Sequence, residues 1–196
     1  MDIISRVKNI LLTPKTEWQT IEAENAPHVK VFTSYVVPLA LIPAIAAFIG
    51  WGLIGYNVLG VHVGSFSLGI RYAIQYYIMM LGGTYLTAFV INALAEGFGA
   101  TKNLDKAFSL VAYAYTPMFI GGIFYLYWPL SWLAGLVGLY GLYLLYIGLQ
   151  PMMKQPAEKT VTYFVVSLLV MFVVYFVLSL ILGAILVGGA VARGML

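Results

Sequence analysis

Four polar side chains stand where an otherwise apolar stretch would carry them into a membrane: Arg71, Gln75, Asn92 and Glu96. Arg71 and Gln75 are four residues apart, as are Asn92 and Glu96, so each pair shares one helix face. A charge at the bilayer centre costs about 2.5–3.5 kcal/mol on insertion scales, so an ionisable residue there marks a pathway, a binding site or a partner. The outer pair, with Tyr72, Tyr76 and Tyr77 beside it, reads either as the mouth of a polar cavity or as an arginine snorkelling to the headgroups among belt aromatics; the second weighs more. Glu96 would serve as a cation or proton site in a pore. Its simpler role is to pair with Lys102 or Lys106 in the adjoining loop, at the water boundary.

The remaining inventory argues against catalysis. There is no Ser, His and Asp constellation, no pair of histidines at metal-ligand spacing and no glycine-rich phosphate loop; His28 and His62 stand alone and cysteine is absent. The expectation is a non-enzyme with no catalytic residue, no metal ligand and no cofactor. Glu17, Glu22, Glu24, Asp105 and Glu158 read as solvated charge on one side of the membrane. The ten Lys and Arg residues are scattered and do not form a phosphate-binding face, so nucleic acid is not an expected partner.

The elements that position these residues follow from composition. With 62% hydrophobic and 9% charged residues in 196, the chain lacks the polar side chains to cover a water-soluble globule. Roughly 20 apolar residues cross the hydrocarbon as a helix, and the charge-poor stretches predict five spans, near 33–55, 70–95, 107–127, 131–149 and 162–188. The fold class is an all-α integral membrane protein, with residues 1–32 forming short amphipathic cytoplasmic helices ahead of a transmembrane domain over 33–196. Ile3, Ile4, Val7, Ile10 and Leu11 recur at helical spacing with Arg6, Lys8 and Asn9 between them, which predicts a first helix lying on the membrane surface. A second, from Pro14 to Glu24, sets Trp18 and Ile21 opposite its glutamates, the tryptophan at the headgroup level. Residues 56–67 form a loop for which a small hairpin or a cap at the outer interface is expected.

Basic residues fix the expected orientation. Eight of the ten lie before span one, between spans two and three, or between four and five, while Arg71 and Arg193 remain opposite. This predicts a cytoplasmic amino terminus and a periplasmic or extracellular carboxyl terminus.

The stretch Ala107 to Phe124 is the expected centre of the bundle. Pro117 deprives the Tyr113 carbonyl of its helical hydrogen bond and kinks the span, Thr116 is placed to bond within the loosened turn, and Gly121-Gly122 permits a close crossing. Gly82, Gly83, Gly135, Gly138 and Gly141 are further candidates for helix packing.

Two of these pieces carry a family resemblance. Pro14-Lys15-Thr16-Glu17-Trp18-Gln19-Thr20-Ile21 is similar to the segment that precedes the membrane region in bacterial members of the Yip family, and Tyr113 with Pro117 resembles the tyrosine and proline of that family's third-span motif. The resemblance implies a five-span fold in the bacterial inner membrane, with Pro14, Trp18, Tyr113 and Pro117 in structural roles. Eukaryotic relatives interact with Ypt/Rab GTPases, but their Asp-Leu-Tyr-Gly-Pro type motif has no counterpart here, and Ala112 stands where a glycine would precede Tyr113. GTPase binding is therefore not carried over. The expected function is a membrane scaffold or interaction protein, its partners the lipid bilayer together with a second copy or another membrane protein. The alternative is a small channel or transporter for an ion or small solute along Arg71, Gln75, Asn92 and Glu96.

Overall fold

The computed structural model describes residues 2–58 and 60–192, those at 58, 175 and 178–192 by backbone alone. Arg193, part of the expected charge asymmetry, lies outside the described residues.

Among the described residues five helices are long and apolar enough to cross a bilayer: span one His28–Ile54, span two Phe66–Phe98, span three Leu104–Leu126, span four Trp128–Met153 and span five Ala157–Val174, which opens with a 3₁₀ turn and runs into an α-helix from Thr160 to Ala192. The five-span expectation holds. Span one begins earlier than the expected residue 33 because Pro27, extended at φ −60° and ψ 141°, caps it, and the Asp105 carboxylate accepts from the free His28 amide at 2.7 Å. Within span one the helix widens into π turns at Phe32–Val36 and Ile49–Ile54. The first of these precedes Pro38, which has no N–H for the carbonyl of Ser34, and the hydroxyls of Thr33 and Ser34 bond back to the carbonyls of Val29 (2.9 Å) and Lys30 (2.6 Å).

Span three is the axis of the bundle. Every residue from Ala107 to Ala114 is buried, a run without polar alternation, as expected of a helix surrounded by others. The helix breaks at Tyr115 and resumes over Thr116–Gly121 with Pro117 in its first turn. The carbonyl that Pro117 strands is not left empty: Thr116 Oγ1 donates to Tyr113 O at 2.7 Å. With that hydroxyl's single proton committed, Tyr35 Oη, 2.7 Å away, must be the donor to Thr116 Oγ1. Span one is thereby bonded to the kink of span three.

Other hydroxyls join the remaining helices. Tyr115 Oη meets Thr87 Oγ1 at 2.8 Å between spans three and two, and Tyr163 Oη donates to Ile91 O at 2.5 Å between spans five and two. Gly122 lies under Pro43 so closely that a Cβ there would come within 2.4 Å of the proline Cβ, which accounts for the close crossing expected at Gly121-Gly122. Gly82 and Gly135, by contrast, face open space: a Cβ on either would meet nothing within 4 Å among the described residues.

The loop after span one is a two-stranded antiparallel hairpin, β1 Tyr56–Val58 and β2 Val61–Val63, with Asn57 opposite His62. It sits among aromatics, Tyr56 stacking on Trp128 and Trp51 on Tyr72 at 4.9 and 4.4 Å between centroids.

The two helices ahead of the spans, α1 Ile3–Leu12 and α2 Pro14–Glu24, do not lie apart from the bundle. Ile10, Trp18 and Ile21 belong to the same core cluster as Phe108, Leu110 and Leu149. Tyr140 Oη donates to Leu11 O at 2.9 Å. Tyr140 precedes the end of span four by 13 residues (153 − 140), or roughly 20 Å of helix, so α1 is inserted along the flank of the bundle and does not rest on its end. Trp18, expected at the headgroups, is instead fully buried in protein, its ring in the gap left by Gly148.

Candidate functional site

The residues singled out along span two are not brought together. Arg71 and Gln75 lie on its exposed face near the hairpin. At the opposite end Glu96 is also exposed and pairs with Lys102 at 3.7 Å, the simpler of its two expected roles. Asn92 is half-buried, with its Oδ1 enclosed and without a hydrogen-bond partner among the described residues.

The buried charge of this protein lies elsewhere, in the helices that precede the spans. Arg6 is only 4% exposed. Its Nη1 donates to Glu17 and its Nη2 to Glu24, and its guanidinium carbon stands 5.3 Å from the centroid of the Tyr113 ring. Burial alone would lower the Arg6 pKa, but the bond to Glu24 and the fields of Tyr113, Glu24 and Glu17 more than offset it, so the pKa ends above its ordinary value and the guanidinium stays charged. Glu17 is buried as deeply as Arg6, while Glu24 keeps an exposed edge.

This cluster corrects the expectation that Arg6 and the glutamates face water. The signal was present in the spacing. Arg6 falls on the same helical stripe as Ile3 and Ile10, and Glu17 and Glu24 fall on the stripe of Ile21, so charges of opposite sign occupy the apolar faces of two adjacent helices. A charge on such a face is tolerable only when a partner meets it there.

The other charges of the same end tie the tail to spans three and four, and span one to span three. Glu22 receives Lys154 Nζ at 2.9 Å and Lys106 Nζ at 3.6 Å, and Lys106 also donates to the Glu22 carbonyl at the end of α2. These bonds, with Lys154 first among the causes, hold the Glu22 carboxyl below its ordinary value. His28 Nδ1 lies 2.6 Å from the Asp105 carboxylate that also caps span one. Each carboxylate of α2 thus faces a cation of the chain itself.

Between α1, the Ala26-Pro27 link and span one, these residues enclose a cavity of about 380 Å³, lined by Arg6, Glu24, Lys30, Ser34, Tyr35 and Tyr113, with Ile3 and Val31 on its apolar side. Its size falls in the range of small-molecule sites, about 300–1,000 Å³. Of the four family-motif positions, Tyr113 lines this cavity, Pro117 sets the kink one turn beyond it, and Pro14 and Trp18 place α2, which supplies the glutamates.

A Yip1 domain model matches residues 8–191. The chain is similar to the inner membrane protein YohC of Escherichia coli (strain K12), 33% identical over 138 residues that cover 68% of this chain and 69% of the relative, and to the protein of the same name from Escherichia coli O6:H1 with the same figures. No solved structure matches it.

Proposed function

The chain belongs to the Yip1 domain family of membrane proteins, and we propose that within it this protein is a non-enzymatic scaffold or interaction protein of the bacterial inner membrane, amino terminus cytoplasmic. The observation that carries the reading is how the charged side chains of the tail end are used. Arg6 with Glu17 and Glu24, Glu22 with Lys106 and Lys154, and Asp105 with His28 all join one segment of the chain to another. They hold the two tail helices to each other, to the first turn of span three and to the end of span four, and join span one to span three, which is what a rigid platform for another protein needs; the helix of span three is itself apolar and packed. The basic residues Lys106 and Lys154 share their side of the bundle with α2, which supports a cytoplasmic amino terminus. Cross-linking in native membranes followed by affinity purification tests the reading: a reproducible protein partner or a dimer of this chain is expected, and recovery of the isolated monomer alone would count against it.

The transport reading has one observation behind it, the enclosed Asn92 Oδ1 on span two, which a passing solute or cation would satisfy. It predicts flux through purified protein in liposomes that Glu96→Gln alters. Flux equal to that of empty vesicles over a broad solute panel would remove it.

A further inference from the structure

We propose that the cavity bounded by Arg6, Glu24, Lys30, Tyr35 and Tyr113 binds the headgroup of a zwitterionic phospholipid, one carrying a primary ammonium beside its phosphate. Three observations converge on this class of ligand. The first is an unmet hydroxyl. Tyr113 is 7% exposed and lines the cavity, yet its Oη makes no hydrogen bond among the described residues; its bonded atom is the carbonyl, which serves the kink. A buried phenol ordinarily finds a partner, and a phosphate oxygen in the cavity would accept from it.

The second is charge. Lys30 is exposed at the cavity wall and has no ion-pair partner among the described residues, whereas Glu24, on the opposite side, retains an accessible edge beyond its bond to Arg6. Arg6 and Lys30 carry two positive charges, and Glu17 and Glu24 two negative, so the surroundings sum to zero. A neutral site with an unpaired cation at one end and, at the other, a partly exposed carboxylate that Arg6 only partly satisfies matches a zwitterion. A bare phosphate dianion would leave this otherwise neutral site with a net charge of its own sign, where a zwitterion adds none.

The third is depth. Lys30 stands in the first turn of span one, and Tyr35 lies five residues further in, roughly 7.5 Å along the helix, so the cavity spans the level at which headgroups meet acyl chains. Ile3 and Val31 give that level an apolar wall for the glycerol and first methylenes. In this arrangement Tyr113 Oη–H and Lys30 Nζ donate to the phosphate, Glu24 accepts from the ammonium, and the chains leave toward the bilayer. The site is independent of any protein partner and stands or falls separately from the scaffold reading.

The test uses the full chain in a lipid-free detergent, with native mass spectrometry and thermal shift on titration of dihexanoyl phosphatidylethanolamine, dihexanoyl phosphatidylglycerol, phosphoethanolamine and inorganic phosphate. Phosphatidylethanolamine is expected to bind one to one and more tightly than the other three. Tyr113→Phe, which keeps the ring and removes only the hydroxyl, and Lys30→Gln, at an exposed position, are each expected to weaken it about tenfold, the loss of one bond to a charged group. Lys15→Gln, outside the cavity, is expected to leave it unchanged. Equal affinity in the wild type and both cavity variants would overturn the proposal, as would the absence of lipid binding or tighter binding of inorganic phosphate. Phosphoethanolamine binding as tightly as the lipid would assign the cavity to a soluble ligand and overturn the lipid source.

Discussion

The indole of Trp18 fills the space that Gly148 leaves on span four: a Cβ on that glycine would stand 2.5 Å from Cε2 and 2.7 Å from Cζ2 of the ring, with Leu110 Cδ1 behind it at 2.8 Å. α2 is held to the bundle by this insertion, and with it the glutamates that meet Arg6. The ring is fully buried and its Nε1 has no partner among the described residues, so packing, not hydrogen bonding, makes the joint.

Gly148→Ala should therefore undock α2. The nearest atoms are an aromatic ring and a buried leucine, neither able to swing aside, and overpacking of this kind costs about 1–3 kcal/mol. The expected result is a lower thermal midpoint in detergent together with faster proteolytic cleavage in the Asn25-Ala26 link; a variant that matches the wild type in both would refute the joint.

Arg6→Ala removes one partner of a buried pair and leaves Glu17 charged in the core. Breaking such a pair costs about 3–5 kcal/mol, more than the pair itself contributes, because the remaining carboxylate is uncompensated. The double variant Arg6→Met with Glu17→Leu should recover most of that loss. Denaturant titration of the single and double variants decides it, and a double variant no more stable than Arg6→Ala would show that the cluster does more than balance charge.

How much of this was legible in the sequence depends on which solvent imposed the constraint. The bilayer requires apolar runs of a given length, so the five spans and the kink at Pro117 could be read from residues alone. The hydroxyl that Thr116 supplies to Tyr113 was also within reach, because it acts one turn away. The clasp was not. Arg6 meets Glu17, Glu24 and Tyr113 across separations of 11, 18 and 107 residues (17 − 6, 24 − 6, 113 − 6), and only the stripe shared with Ile3 and Ile10 marked it as inward. Rarity of charge within spans drew attention to Arg71 and Glu96, both of which lie on exposed surface.

Acid should loosen the tail through Glu22. Its carboxyl lies below the ordinary value of 4.5 in the folded chain because Lys154 and Lys106 favour the anion. A depressed carboxyl stabilises the fold above its unfolded pKa, and that contribution fades as pH falls through the folded value. Hydrogen exchange in α2 should thus accelerate below the usual carboxylate range, with a small amplitude that salt reduces further, since the group is solvent-exposed. Glu22→Gln should be loosened near neutral pH, converge with the wild type in acid and lose this part of the acid response; an identical profile in the variant would place the titrating group elsewhere.

Thr116 and Pro117 have to be tested together. Thr116→Val strands both the Tyr113 carbonyl and the Tyr35 hydroxyl inside the protein, at a cost of about 1–3 kcal/mol for each buried group left unpaired. Pro117→Ala returns an amide to position 117, the residue whose N–H the Tyr113 carbonyl would accept in a regular helix. Alone, it should straighten span three and pull Gly122 away from Pro43, lowering thermal stability in detergent. In the Thr116→Val background the same change should cost less, because the restored amide now satisfies a carbonyl that has lost its hydroxyl. A double-variant cycle measures that difference. Strict additivity would mean that the Thr116 hydroxyl does not stand in for the missing amide, and that the kink is held by Gly122 against Pro43 alone.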